Sequence, residues 1–432
     1  MNSSAYLVVI FFVLVVILAI SIFCIESNSK SMPLKIQVVK AVKHKSSTSS
    51  ASPSASASPS SPRHHHHQRT SVRLPKEITP NPLSSIQPSI TLGCINYNPS
   101  TKAIIVNCKS ANLSYINNQL KNSSILDREF PDGTWLLNAN LVINNGSTFY
   151  INSTDSKWLK IISLPSPSSL FDINSIHVYG NLNIDSVKIT SWDPTINNYV
   201  ILTIGNDTIP RSYIRVEPGA TGTTNITNSE IAYLGSNKTS PGLGHGGVNY
   251  YGGNGSILRG NEFHDLYYGP FTSEIANMTI EKNKSYKNID YGFDPHTGSH
   301  DIIIRNNIAY DNGEEGIICS LDCYNILIEN NTTYHNEKSG LMFSRNTYNS
   351  IMRNNIAYNE VNGIHLSQSH NNQIYNNTIS NSISGINVEP TSTENQVYDN
   401  TIMNTKVQPI ISDNNSNILP SKSNSVYSNN IK

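Results

Sequence analysis

Six consecutive residues, Tyr291-Gly-Phe-Asp-Pro-His296, bring a phenol, a carboxyl and an imidazole into one short segment. An imidazole beside a carboxylate pairs a general base with a group that orients it. The same residues suit a corner where Asp caps a turn and His lies on the surface, and the local pattern carries both readings equally. Pro295 removes a backbone donor, which marks an irregular place in any strand.

The surrounding repeat sharpens the contrast. Glycines recur at Gly269, Gly292, Gly316, Gly340, Gly363 and Gly385, at spacings of 23, 24, 24, 23 and 22. Tyr286, Tyr310, Tyr334 and Tyr358 follow one another every 24 residues, and Asn pairs recur at 306–307, 330–331, 354–355 and 376–377. A period in this range means stacked units that bury a continuous core together and none alone. The repeat predicts an all-β chain, a right-handed parallel β-helix. Stacked Asn would bond along its axis, and Gly would take positive φ at corners. Counted from each Gly, the second following position reads Phe271, Asp294, Ile318, Met342, His365. The fourth reads Ser273, His296, Ser320, Ser344, Ser367, and the fifth Glu274, Thr297, Leu321, Arg345, Gln368. Asp294 thus replaces a mostly apolar residue, and His296 interrupts a serine column.

Earlier segments fit the same architecture. Trp135–Ile151 and Ser175–Trp192 alternate apolar and polar residues as half-buried strands do. The expected organisation is an anchor in 1–30, a Ser/Pro/His stalk in 31–90, first coils and cap in 91–223, and regular rungs with the candidate site in 224–432. Tyr6 to Cys24 is an uncharged apolar run long enough to span a bilayer, with a cleaved signal peptide as the rival reading. The Lys residues after it favour a cytoplasmic C-terminal side. The N-x-S/T sequons at Asn112, Asn122, Asn206, Asn225, Asn237, Asn254, Asn277 and Asn376 favour the outside, and the expectation is an uncleaved single-pass anchor with the bulk extracytoplasmic. Residues 46–90, with SASPSASASPSSP and His64 to His67, read as a solvated, disordered stalk.

Lys+Arg and Asp+Glu both number 30, so the formal net charge is zero and nothing points to nucleic acid. Cys94, Cys108, Cys319 and Cys323 could form two bridges outside the cell, in pairings the sequence leaves open. No CxxC and no His cluster accompanies them, so no metal or other cofactor is expected; calcium has no support from any motif. Gly242-x-Gly244-x-x-Gly247 lacks the strand-then-helix context of a dinucleotide site.

The segment YGFDPH, with the NN and G-I rungs after it, resembles the mannuronan C5-epimerases, over roughly Thr224 through Ile402. The resemblance implies inversion at C5 of uronic acid residues within a polymer. The C5 proton is α to a carboxylate, so its removal needs a base, an acid on the opposite face, and a donor or cation for the dianion formed. By the resemblance His296 is the base, Asp294 orients or polarises, and Tyr291 donates from the other face. Strict strand alternation sets Tyr291 opposite Asp294 and His296 unless the chain bends at Gly292 or Pro295.

The chain departs from that family's pattern in two places. Thr297 stands where an acidic residue follows the DPH, and Leu321 stands where an Arg occupies the next rung. Three cations are candidates to compensate: Arg345, two rungs away by roughly 9–10 Å and long enough to reach back, Lys338 on the same rung as Arg345, and Arg305. Tyr268, beside Gly269, and His245, in GLGHGG, are further candidate substrate contacts. His264, His335, His365 and His370 read as rung-edge or surface residues. The expected partner is an anionic polysaccharide, with the membrane reached through the N-terminal helix and the chain acting as a monomer. A polysaccharide lyase, sharing the abstraction step but expelling the 4-O substituent, and a non-catalytic glycan-binding β-helix are the competing functions.

Overall fold

The computed structural model describes residues 90–129, 132–164, 173–203, 209–237, 246–412 and 422–432. The expected anchor, the stalk as far as residue 89, and His245 lie outside them. Among the described residues no helix is long and apolar enough to cross a membrane.

Strands of two to six residues fall on three long sheets, here A, B and C, of 14, 12 and 13 strands. From Asn140 onward each strand pairs in parallel with the strand one coil before and one coil after it, the expected β-helix. The strand Thr224–Thr227 pairs with Asn181–Asp185, so the early coils run into the regular rungs without interruption of sheet B. Antiparallel pairs occur at the beginning, between Ile90–Leu92 and Ile95–Asn98, between Ile95–Asn98 and Ala103–Val106, and between Leu126–Glu129 and Thr134–Leu137. There the helix Leu113–Leu120 buries Leu113, Ile116 and Leu120 in the core, and the Asn112 side chain accepts the Tyr115 N–H at 2.8 Å as its N-cap. A solenoid needs such an end, because its first coil would otherwise present apolar side chains to water. The disulfide Cys94–Cys108 fastens the same end. Cys319 and Cys323 are free thiols buried inside the coils, so the chain forms one bridge among these four cysteines and not two.

The second Asn of each pair stacks as expected. The Asn331 amide donates to Asn355 Oδ1 at 3.0 Å and to the Ile304 carbonyl at 2.9 Å. Its own Oδ1 accepts both the backbone and side-chain N–H of Asn307. The same motif runs through Asn261, Asn283, Asn307, Asn355, Asn377, Asn400 and Asn429. The first Asn of each pair makes the corner instead. Asn306, Asn330, Asn354 and Asn376 hold φ between 53° and 56°. This corrects the expectation for glycine: the rung glycines from Gly269 to Gly385 are absent from the left-handed region. They are needed because the next coil lies too close. A Cβ on Gly316 would sit 2.8 Å from the Gly340 carbonyl oxygen, and one on Gly340 or Gly363 2.9 Å from the following glycine's oxygen. Outside the coils the tyrosines stack, Tyr286 on Tyr310 and Tyr310 on Tyr334 at 4.8 Å between centroids.

The buried Asn331 amide saturates four bonds, and removing it strands donors on the coil before it. Asn331→Ala is expected to lower unfolding stability by about 2–4 kcal/mol, given roughly 1–3 kcal/mol for each buried polar group left unpaired. Chemical denaturation monitored by circular dichroism checks this; a loss under about 0.5 kcal/mol would mean that the ladder is not a principal source of register.

Candidate functional site

The site lies on the outer face of sheet A. Inward positions of its strands carry the core, as with Phe293, Ile317, Cys319, Leu341 and Phe343, all fully buried. Alternation then turns Asp294 and His296 outward together. Their strand, Asp294–His296, pairs with Phe271–Ser273 on one side, and on the other His296 faces Ser320. Ser320 faces Ser344, and Ser344 faces Ser367. The columns read from glycine spacing are thus real columns on one surface.

Arg345 follows Ser344 in a left-handed conformation, φ 46°, which turns its side chain back along the axis. Its Nε donates to Ser320 Oγ at 2.7 Å and its Nη2 reaches His296 Nε2 at 2.9 Å, two coils away. A guanidinium has only donors, so Nε2 is the acceptor and the proton sits on Nδ1. Nδ1 in turn donates to Thr297 Oγ1 at 2.6 Å. This fixes a neutral tautomer whose lone pair points at the arginine. Burial, and then the Arg345 charge, push the His296 pKa down to about 4. Arg345 is exposed and its two side-chain partners are a hydroxyl and an imidazole, so its charge is not spent on a carboxylate.

Asp294 is 1% exposed although it lies on an outer face. Burial raises its pKa well above the usual carboxylate range; Arg345 opposes this, while Glu315 and Asp290 add to it. Its Oδ1 has no hydrogen-bond partner. A carboxyl so placed resists ionisation.

Tyr291 precedes this group in the chain. The strand begins only at Asp294, so alternation does not govern Tyr291, and the chain turns at Gly292. The Tyr291 ring lies 5.3 Å from that of Tyr268, Tyr268 lies 6.3 Å from Phe271, and Phe271 lies 5.5 Å from the His296 imidazole. Burial first, then the charge of Asp294, raise the Tyr291 phenol above its ordinary value, and Tyr268 is raised likewise. Strand alternation therefore does not assign Tyr291 to the face opposite Asp294 and His296; its ring neighbour is Tyr268.

The other expected cations stand elsewhere. Lys338 is held by Glu314, beside Glu315, whose carboxyl is pushed up to about 7 by burial. Arg305 ends the strand Ile303–Arg305 of sheet B, where its Nε donates to Glu281 at 2.7 Å in a ladder with Arg259. It belongs to a different face, and the structure separates it from His296. Two partners were not foreseen: Thr297, read only as a departure, sets the imidazole tautomer, and Ser320, read as a small neighbour, supports the guanidinium. The hydroxyl of Thr297 directly after His296 was the available signal.

A family model described as "Periplasmic copper-binding protein (NosD)" matches residues 169–431. Among solved structures, the periplasmic alginate epimerase AlgG aligns with a TM-score of 0.64 at 21% identity, over 76% of this chain and 85% of that one. A substituted form of AlgG gives 0.66 with the same identity and coverage. At that identity the likeness is one of fold. No curated protein matches the sequence.

Because the imidazole is depressed below its ordinary value of 6.5, the fold resists a proton that the unfolded chain accepts. Stability is therefore lost as pH falls from about 6.5 to about 4, and is fully present above that window. Histidine NMR titration should show His296 neutral down to about pH 4, and Arg345→Ala should move its midpoint upward by removing the nearby positive charge. A His296 midpoint near 6.5 in the unsubstituted protein would contradict the proposed hydrogen-bond arrangement.

Proposed function

We infer the function of this chain from one premise: it belongs to the family described as periplasmic copper-binding protein (NosD), and it carries on that scaffold a base, a cation, a buried carboxyl and a half-buried phenol. We propose that it acts on a uronic-acid-containing polysaccharide as a C5-epimerase. The observation that carries this reading is the hydrogen bond from Arg345 to the lone pair of His296.

A uronate carboxylate is the natural replacement for His296 as partner of that guanidinium, because a charge-assisted bidentate pair is stronger than a bond to a neutral imidazole. Binding would thus free the base at the moment the substrate's carboxylate arrives. His296 Nε2 then takes the C5 proton. The electron pair moves into the carboxylate, whose second negative charge is met by Arg345 and by the protonated Asp294. Tyr291, kept protonated by its surroundings, returns a proton to C5 from the other side. His296 and Tyr291 then exchange the proton that restores both. Leu321, in place of an arginine one coil away, leaves this duty to Arg345.

The disulfide Cys94–Cys108 supports a location outside the reducing cytoplasm, as the word periplasmic in the family description and in the AlgG name would suggest. The family description also names copper. Among the described residues no three His, Cys, Asp or Glu side chains converge to hold a metal ion, so the residues present do not fit that group and no step is routed through it.

Incubation with polyuronates in D2O tests the reaction. Solvent deuterium should enter C5 without chain cleavage. His296→Ala should lower the rate about 10²–10⁴-fold, the range of a positioned general base, and Arg345→Ala should do so comparably. Unsaturated ends absorbing in the ultraviolet would replace the epimerase by a lyase. Unchanged behaviour of His296→Ala would leave a non-catalytic glycan-binding solenoid.

A further inference from the structure

The two outward columns of sheet A continue well past His296 and form a track along the solenoid axis. The fourth-position column extends from Ser367 to Glu389, next in register after the Leu366–Val388 pair. Toward the N-terminus it passes Ser273 to Tyr251 and then Glu217, next after the pairs Tyr250–Thr272 and Val216–Tyr250. Glu389 is thus four coils from His296, about 19 Å at about 4.8 Å per coil, and Glu217 three coils away, about 14 Å. Between these carboxylates the column carries Tyr251, Ser273, Ser320, Ser344 and Ser367.

Charge along this track is sparse. Arg215, in the adjoining column, is committed to Glu217 at 3.1 Å and lies over the Tyr251 ring at 4.7 Å. Lys338, on the flank, is committed to Glu314. Glu389 accepts from Ser367 Oγ at 2.6 Å and pairs with His365 Nε2 at 3.0 Å. Among the described residues of the two columns and of the fifth-position column beside them, Arg345 is the cation with no carboxylate partner. A pyranose chain laid along the track advances about one sugar per coil, given the rung spacing of about 4.8 Å. A homopolyuronate would therefore bring a carboxylate to nearly every coil, to meet one cation and, at the far end, the carboxylate of Glu389.

Resting on the epimerase reading, we propose that the substrate is a heteropolysaccharide in which uronate residues are separated by neutral sugars. One carboxylate sits at Arg345. The neighbouring neutral sugars meet Tyr251 and Phe271 on one side and the serine hydroxyls on the other, groups that stack on and hydrogen-bond to uncharged rings. Glu389 sets the sequence preference by repelling a carboxylate at its coil.

The full chain is assayed in D2O on two probes, an alternating glucuronate–N-acetylglucosamine polymer and polymannuronate, with C5 deuterium per uronate read by NMR. The proposal expects at least a tenfold higher rate on the alternating polymer, lost in His296→Ala. An equal or higher rate on polymannuronate overturns it while leaving the epimerase reading in place. Exchange on neither polymer removes both. Glu389→Gln, its fold checked by circular dichroism, should narrow the ratio between the polymers about two- to fivefold at low salt, and the narrowing should fade in high salt. A ratio that does not change overturns the role given to Glu389.

Discussion

Everything on this molecule depends on register between successive coils. Each strand is bonded to the strand before and after it, and buried amides tie one coil to the next through Asn283, Asn307, Asn331, Asn355 and Asn377. The glycines permit that spacing by carrying no Cβ where neighbouring coils meet. A slip of one residue would invert every side chain on one coil and end the column. The register is therefore what lets a residue of one coil be opposed to a residue 24 positions later in sequence, and it is what makes a surface column a device for placing chemistry.

The His296 coil uses that device by departing from it. Its neighbours in the column are serines, small enough to leave room, and one of them, Ser320, steadies the guanidinium that crosses the gap. The left-handed backbone at Arg345 belongs to the corner and not to the site, yet it is what directs the side chain back over two coils. The imidazole is held from both sides, by Arg345 at Nε2 and Thr297 at Nδ1, so its tautomer is set before any ligand arrives. Asp294 is more costly: it is a buried carboxyl with an oxygen that lacks a hydrogen-bond partner, and its burial disfavours the charged form. Such a group adds nothing to the coil that a Phe271 or Ile318 would not add better, which argues for a role toward something that binds there.

Much of this was readable from spacing alone. The columns through Gly, Ser320 and Ser344 follow from a period of 22–24, and the reach of Arg345 follows from its place one residue past the serine column. What spacing did not provide was the side of the coil on which a residue outside the counted segment lies. Arg305 ends a strand of sheet B, and a count started at Gly292 does not say where sheet A ends and sheet B begins. Tyr291 sits before its strand starts, so alternation does not say on which face it lies. The reason for glycine was also misassigned, because close approach of two coils and positive φ leave the same mark in a sequence. Carrying the fourth-position column one coil further would have reached Glu389.

The exchange of partners at Arg345 links the site to the track. In the free protein the guanidinium is satisfied by neutral acceptors, which is a weaker arrangement than a carboxylate pair. The base is occupied in the same interaction, so its lone pair is exposed only when something better holds the arginine. A neutral sugar bound at that coil would leave Arg345 on His296, and the base would stay covered. In the proposed reaction, recognition of the carboxylate and release of the base become one event, confined to the place where Arg345 reaches back to His296. A track whose other charges are the Arg215–Glu217 pair and Glu389 is consistent with this arrangement, because a cation free of carboxylates is needed only where the base must be freed.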